Sequence, residues 1–328
     1  MAKLMADRLF PRSFTALWAG IVCVGTVLTL IVGSSASVAT AAPVATQTAP
    51  RVICVASTHA YDQLAIKLAH DIDGRLVGRA STVGLEEIDS RTGITCTYHA
   101  AYHFYAASVI KVTILATLLR TAQEQNRQLT ARERRLAWLM ITQSDNNAAT
   151  ALWNQLGMRR LQHLLNLAKM TETKLAPAWG LSLLTAHDEI LLLSLISGPN
   201  RILNLNSRVY AQYLMYNVIS SQRWGVPAGA PTSVRVGVKN GWLPYPVSNN
   251  WEINSIGFFK VKTPARVYEI VMLTHNNPTM SYGISTIESA AQVIHRDLNP
   301  GAASVIPASA PNPTWGIPDE PIPPRTNS

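Results

Sequence analysis

Cysteine is scarce in this sequence, with three residues among 328. None follows the apolar N-terminal run closely enough to act as a lipidation site. Runs of Lys and Arg, and stripes of basic and aromatic residues, are also missing, although the formal net charge is +9. Nucleic-acid-binding surfaces are built from such clusters, so their absence argues against a nucleic-acid partner. The positive charge instead suits anionic partners such as cell-wall polymers, membrane surfaces or carboxylate substrates.

The first forty residues have the composition of an export signal. Three basic residues precede an apolar run at residues 14–32, and they are Lys3, Arg8 and Arg12. A small-x-small motif at residues 39–41 fits a cleavage site, so residues 1–41 are predicted to be a signal peptide. The apolar run is long, and the alternative is an uncleaved membrane anchor through residues 14–32. Either way, we expect an exported protein, in the periplasm, the cell wall or the extracellular space.

Two cysteines remain once this segment is set aside. Cys54 and Cys96 would form one disulfide in an oxidising compartment, and the alternative is two buried thiols. A zinc site made from Cys96, His99 and His103 lacks a fourth ligand. The sequence therefore predicts neither a metal site nor a cofactor.

Hydrophobic periodicity places helices at both ends of the domain and in its middle. Thr130 and Glu133 form a capping box, and Gly157 separates two helices. Helices are predicted over residues 59–72, 108–125, 130–142, 147–156, 158–167, 189–197, 206–220 and 284–298. Strands are predicted over residues 75–88, 93–99, 234–242, 251–261 and 267–274, which are rich in β-branched and aromatic residues.

The order of these elements predicts a layered α/β (α+β) fold. It consists of a five-stranded antiparallel sheet flanked by helices, with an all-helical lobe inserted between the early and late strands. The domain is expected over residues 59–298, after a linker at 42–58. Residues 299–328 form a Pro-rich tail that cannot bury a core and is expected to be disordered or extended.

Three short motifs carry the chemistry, in the order Ser108-Val109-Ile110-Lys111, Ser144-Asp145-Asn146 and Lys239-Asn240-Gly241. A serine hydroxyl needs a base within hydrogen-bond reach to act as a nucleophile near neutral pH. At the start of a helix, Ser108 and Lys111 lie on one face. Desolvation inside the apolar helix favours the neutral amine of Lys111, which can act as that base.

Together, the motifs resemble those of class A β-lactamases and penicillin-binding D,D-peptidases, over roughly residues 60 to 298. The resemblance implies that Ser108 is acylated with Lys111 as its base, and that Ser144 relays a proton to the leaving nitrogen. Asp145 would order the loop. The residues implied to bind substrate are Asn146, Lys239, Asn240 and Gly241. The backbone N–H groups of Ser108 and Trp242 would form the oxyanion hole.

The chain also departs from this family. Asn240 stands where Thr or Ser is usual, and we expect it to donate to a substrate carboxylate. The loop that supplies the water-activating Glu in class A enzymes offers only Glu172, in a partial match. Residues 177–180 are Pro, Ala, Trp and Gly. If Glu172 is not the base, the acyl-enzyme should hydrolyse slowly.

Three hypotheses follow for a monomeric protein that acts on β-lactam or peptidoglycan-peptide substrates. The first is a serine hydrolase acylated by β-lactams, with weak deacylation. The second is a D,D-peptidase that uses the same acyl chemistry on wall peptides. The third is a catalytically idle module that binds the wall or senses penicillin. The intact Ser, Lys, Ser, Asn and Lys set argues against the third.

Overall fold

The computed structural model describes residues 52–244 and 250–308. The predicted signal peptide, and the tail beyond residue 308, lie outside the described residues. The helices are α1 Asp62–Leu76, α2 Ile110–Glu124, α3 Ala131–Thr142, α4 Asn146–Ala168, α5 Ala186–Ser197, α6 Leu205–Tyr216 and α7 Met280–Leu298. The strands are β1 Ile53–Val55, β2 Thr82–Asp89, β3 Ile94–Tyr98, β4 Phe104–Tyr105, β5 Leu183–Leu184, β6 Arg235–Pro244, β7 Trp251–Val261 and β8 Arg266–Asn277.

The main sheet is antiparallel, as predicted, but it has six strands rather than five. Their order is β1-β3-β2-β8-β7-β6. The additional strand is β1, whose three residues pair with β3 at the sheet edge. Three residues are too few to show a period of two, which explains why the sequence pattern missed this strand. A separate two-stranded sheet joins β4 and β5.

The sheet separates two helical layers, and neighbouring residues of β8 show this directly. Tyr268 hydrogen-bonds His295 of α7 on one face, and Glu269 accepts from Ser194 and Ser197 of α5 on the other. Because side chains alternate along a strand, one residue faces each layer. The lobe of α2, α3, α4 and α6 lies on the α5 side, and α2 is buried nearly all round, as its apolar sequence predicted.

The domain begins earlier and ends later than predicted. The expected linker at 42–58 contains β1, which a Cys54–Cys96 disulfide joins to β3. The sulfur of Cys96 is therefore not available to zinc. At the other end, Gly229 N donates to Ile306 O, and Ile306 N donates to Ala230 O. The first part of the Pro-rich tail is thus bound to the domain rather than disordered.

Several helix ends differ from prediction by a few residues. α1 continues to Leu76, where a strand was expected to have begun, and α6 ends at Tyr216 rather than near residue 220. Gly157 interrupts α4 with a φ of 71°, so the two predicted helices are joined across a break. The capping box of Thr130 and Glu133 is present at α3, as predicted. No helix among the described residues has both the length and the apolar character required to cross a bilayer.

Candidate active site

Ser108 lies in a 3₁₀ turn that leads directly into α2. The turn spans Ala107–Val109, and Ala107 takes a left-handed φ of 44°. Lys111 projects from the first turn of α2, and its side chain is fully buried. Its Nζ lies 2.8 Å from Ser108 Oγ. This distance places an amine within proton-transfer reach of the hydroxyl.

Lys111 Nζ has more oxygen neighbours than an ammonium group has hydrogens. Besides Ser108 Oγ, it lies 2.8 Å from Ser144 O, 3.2 Å from Ser144 Oγ and 2.5 Å from Asn146 Oδ1. An ammonium group has three hydrogens, whereas a hydroxyl can either donate or accept. The same arrangement therefore also suits the neutral amine, with the Ser108 hydroxyl donating to Nζ. Both protonation states of a general base fit this geometry.

Ser144 stands between two lysines at the junction of α3 and α4. Its Oγ is 3.2 Å from Lys111 Nζ and 3.0 Å from Lys239 Nζ. Its backbone is left-handed, with a φ of 58°, which costs a non-glycine residue about 1 kcal/mol or more. The next residue, Asp145, caps α4 by accepting from Ala148 N at 2.6 Å. Asp145 therefore has a structural contact, and Ser144 is held where a proton could pass through it.

Lys239 and Gly241 lie on the face of β6 that meets the Ser108 turn. Lys239 is fully buried, and its Nζ also donates to Asn240 O at 2.7 Å. A Cβ on Gly241 would lie 2.7 Å from Ser108 N and 2.9 Å from Val109 N. No side chain fits there, so the glycine lets the edge strand touch the nucleophile turn. Gly241 was implied to bind substrate, but what lies against it in the structure is the backbone of this same chain.

Asn240 does not occupy the position predicted for it. Its Nδ2 donates to Gln222 O and to Trp224 O, both at 2.9 Å, and the residue is fully buried. Side chains alternate along β6, so Asn240 faces away from Lys239 and Gly241. Both amide hydrogens are engaged, which contradicts the prediction that Asn240 donates to a substrate carboxylate.

Trp242 shares the Asn240 face, and its ring packs edge-on against Trp224 with centroids 5.9 Å apart. Its backbone begins one peptide bond beyond the contact between Gly241 and Ser108. The structure thus brings both residues predicted for the oxyanion hole to adjoining backbone segments. The orientation of their N–H groups toward a substrate remains a prediction.

Ser108, Lys111, Ser144 and Lys239 form one hydrogen-bonded group, the Ser108 cluster. Glu172 is not brought to this cluster. Its side chain is exposed, and its carboxylate accepts a 3.4 Å hydrogen bond from Thr171 Oγ1. Its backbone N–H and that of Thr173 donate to Asp188 Oδ2, at 3.0 and 2.6 Å. Asp188 thereby closes the base of a loop at residues 172–188. The geometry does not support the prediction that Glu172 activates a water molecule.

Trp179, on that loop, contacts the cluster instead. Its ring centroid lies 4.7 Å from Lys111 Nζ, and its Nε1 donates to Thr150 Oγ1 at 3.1 Å. No sequence motif marks this residue, because it is a lone Trp in a loop. The only signal was its position in the loop where the family carries a carboxylate.

Two residues of β7 support the segment that precedes Ser108, and no sequence motif marks either of them. Asn254 Nδ2 donates to Tyr105 O at 2.8 Å, and it also lies 3.4 Å from Ala106 O. Glu252 lies on the same face of β7 and is fully buried. Burial raises the pKa of Glu252 well above its usual range, although the Tyr105 N–H beside it acts in the opposite direction.

Comparisons with known proteins bear on the family and on the fold. A family model described as the beta-lactamase enzyme family matches residues 131–298. By sequence alone, no curated protein is significantly similar to the chain.

Solved structures share the fold at low sequence identity. A class A β-lactamase from Bacteroides cellulosilyticus has a TM-score of 0.63 and 16% identity, over 72% of this chain and 98% of that one. The TLA-3 extended-spectrum β-lactamase has a TM-score of 0.64 and 13% identity, over 70% and 98% of the two chains. PBP-A has a TM-score of 0.61 and 19% identity, over 70% and 95%. The fold is therefore that of the class A β-lactamases.

Proposed function

This chain belongs to the beta-lactamase enzyme family. We propose that β-lactams acylate it at Ser108 and that the resulting acyl-enzyme is hydrolysed slowly. The family and the fold make it a serine hydrolase that works through an acyl-enzyme. The observation that carries the assignment to Ser108 is the 2.8 Å contact between its Oγ and the buried Lys111 Nζ. A desolvated amine at that distance can take up the proton as the serine attacks.

In the proposed acylation, Lys111 Nζ accepts the hydroxyl proton while Ser108 Oγ bonds to the lactam carbonyl carbon. The N–H groups of Ser108 and Trp242 stabilise the developing oxyanion. The carbon–nitrogen bond of the lactam then breaks, and the nitrogen receives a proton through Ser144 Oγ. That hydroxyl suits the relay because it lies within 3.2 Å of Lys111 Nζ and 3.0 Å of Lys239 Nζ.

Asn146 and Lys239 complete the proposed site. Asn146 Oδ1 holds Lys111 Nζ at 2.5 Å, and its amide nitrogen is left to meet a substrate amide. The ammonium of Lys239 supplies positive potential for a substrate carboxylate. Because both amide hydrogens of Asn240 are engaged elsewhere, carboxylate recognition rests on Lys239 rather than on Asn240.

Slow deacylation is proposed because the loop carries no suitable base. Residues 173–187 contain no Asp or Glu, and the Glu172 carboxylate is exposed. Asp188 Oδ2 accepts from the loop backbone, and the His187 ring contacts Glu86. General-base assistance is typically worth about 10²–10⁴ in rate. We therefore expect one burst of product per enzyme, followed by a slow steady state.

The same residues would serve a D,D-peptidase that acts on peptidoglycan peptides, and the loop composition favours this second candidate. An enzyme that turns over β-lactams rapidly needs a base for the deacylating water, whereas a penicilloyl-enzyme that persists is compatible with a peptidase. We further propose that the protein is exported, on the basis of the basic and apolar start of the sequence and the Cys54–Cys96 disulfide.

Labelling of the full chain with a fluorescent penicillin, followed by intact mass spectrometry over time, tests this function. We expect a single adduct that peptide mapping assigns to the Ser108 peptide and that persists for minutes or longer. Ser108→Ala should not be labelled, whereas Ser220→Ala, an exposed serine outside the cluster, should be labelled like the wild type.

Equal labelling of Ser108→Ala would refute the assignment, and rapid multiple turnover of penicillin would refute slow deacylation. A parallel assay of D-alanine release from a D-Ala-D-Ala peptide separates the two candidates. An absence of both labelling and peptide cleavage would indicate the idle module.

A further inference from the structure

Trp179 covers the proposed general base, although no motif in the sequence marks it. Its ring centroid lies 4.7 Å from Lys111 Nζ, and only 8% of the residue is exposed. The face of an aromatic ring attracts a cation within about 6 Å. The indole therefore both contacts the amine and separates it from solvent.

A single turn of α4 positions both the ring and a polar partner of the same lysine. Asn146 and Thr150 are four residues apart and so lie on one face of the helix. Asn146 Oδ1 accepts from Lys111 Nζ at 2.5 Å, and Thr150 Oγ1 accepts from Trp179 Nε1 at 3.1 Å. The indole N–H fixes the orientation of the ring over the amine.

The loop that carries Trp179 is also tied to the nucleophile segment. Trp179 begins the 3₁₀ turn Trp179–Leu181, and Ser182 follows directly. Ala106 N donates to Ser182 O at 2.8 Å, two residues before Ser108. β4 and β5 pair just outside this bond. The ring, the lysine and the serine thus belong to one connected arrangement.

We propose that Trp179 is a positioning residue that sets the lifetime of the acyl-enzyme, by holding Lys111 and excluding water from its amine. The inference rests on the proposed acylation of Ser108. In hydrolysis, a water oxygen bonds to the ester carbonyl carbon, the bond to Ser108 Oγ breaks, and a water proton returns to Oγ through Lys111 Nζ. The indole occupies space from which that water would contact the amine.

The test uses the full chain, acylated with penicillin G and freed of excess drug, with the acylated fraction followed by intact mass. Trp179→Ala should shorten the lifetime of the adduct by about tenfold or more, within the range of general-base effects. Trp179→Phe keeps a ring over the amine but loses the indole N–H that donates to Thr150, so it should shorten the lifetime less than Trp179→Ala does.

The hydrogen bond that orients the ring has its own matched pair of variants. Thr150→Val removes the acceptor while keeping the shape, and we expect it to shorten the lifetime less than Trp179→Ala does. Thr150→Ser restores the acceptor and should behave as the wild type. A merely structural role would change thermal stability without this order of lifetimes.

An unchanged adduct lifetime in Trp179→Ala would overturn the inference, provided that the variant is still acylated. If Trp179→Ala does not fold, as judged by circular dichroism, Trp179→Leu fills more of the space without an aromatic face. That variant should still shorten the lifetime relative to Trp179→Phe, and equal lifetimes would count against the role. Failure of the wild type to form any adduct would instead refute the proposed function.

Discussion

Gly241 shows how closely two backbones must meet at this site. A Cβ added there would lie 2.7 Å from Ser108 N and 2.9 Å from Val109 N, which is closer than carbon and nitrogen approach without displacement. The contact is with backbone, so no side-chain rotation can relieve it. Glycine is therefore required at position 241 because a Cβ would clash with the nucleophile turn, and not because the residue takes part in the reaction.

Gly241→Ala should therefore reduce the rate of acylation at least about tenfold, because the substitution separates β6 from the Ser108 turn. The rate is measured by time-resolved labelling with a fluorescent penicillin. Gly74→Ala provides the control, since Gly74 lies within α1 and nothing lies within 4 Å of its added Cβ. Acylation of Gly241→Ala at the wild-type rate would contradict the steric interpretation.

Asn240 illustrates a motif residue that serves the fold. Its amide donates to two backbone carbonyls, Gln222 O and Trp224 O, in a buried setting. An unsatisfied buried polar group costs about 1–3 kcal/mol. Asn240 thus stabilises the fold next to β6 rather than binding a ligand.

We expect Asn240→Ala to lower the free energy of unfolding by about 2 kcal/mol, as measured by chemical denaturation. Asn217→Ala is the matched control, because its amide also donates to a backbone carbonyl, Tyr213 O at 2.7 Å, but in an exposed setting. A loss in Asn240→Ala no larger than that in the control would show that the buried bonds contribute little.

Among the elements, the loop at residues 172–188 depends on one carboxylate. Asp188 Oδ2 accepts from the backbone N–H groups of Glu172 and Thr173 and from Thr173 Oγ1, at 2.6 to 3.0 Å. Thr185, the N-cap of α5, accepts from Asp188 N at 3.1 Å. The start of one helix therefore anchors the far end of the loop that carries Trp179.

Asp188→Ala should release this loop, because three donors lose their acceptor together. We expect the free energy of unfolding to fall by about 3 kcal/mol and amide exchange to accelerate across residues 172–185. Hydrogen exchange with mass spectrometry measures the local effect. Asp62→Ala, a half-exposed carboxylate on α1, is the control, and equal exchange in the two variants would contradict the anchoring role.

At the scale of the whole molecule, α7 is joined to the sheet through a buried histidine. His295 Nε2 donates to Val226 O at 2.7 Å, and its Nδ1 accepts from Tyr268 OH at 3.0 Å. Burial lowers the pKa of His295 from 6.5 to about 4. The folded protein therefore holds this imidazole neutral at pH values where the unfolded chain protonates it.

The sign of the resulting pH dependence follows from this difference. Between pH 6.5 and about 4 the unfolded state binds the extra proton, so the contribution of His295 to stability falls as the pH falls. The total effect is about 3 kcal/mol. The free-energy difference between the wild type and His295→Gln should shrink by this order between pH 7 and pH 4.

Comparing the wild type with His295→Gln cancels the opposing contributions of other groups to the pH dependence of stability, because both proteins share them. Burial raises the pKa values of Glu87, Glu189, Glu252 and Glu269, and each of these carboxyls destabilises the fold as the pH rises above 4.5. Denaturant titrations at several pH values supply the measurement, with the exposed His70→Gln as a control. A pH-independent difference would refute the assignment to His295.

Those parts of this protein that depend on local spacing can be predicted from its sequence. Helical periodicity and capping residues predict most helices, and the late strands follow from their β-branched and aromatic composition. Ser108 and Lys111 come together at 2.8 Å because three residues nearly complete one helical turn. The resemblance of three motifs indicated the family and its layered fold.

Contacts between residues that are distant in the sequence form only in the folded chain. β1 exists through pairing and a disulfide with β3 and has no pattern of its own. The face toward which Asn240 points depends on the register of β6 against β7, and a slip of one residue would reverse it. Trp179 reaches Lys111 because Asp188 and Thr150 hold its loop from elements elsewhere in the chain. Such contacts join residues far apart in the sequence, and no local spacing encodes them.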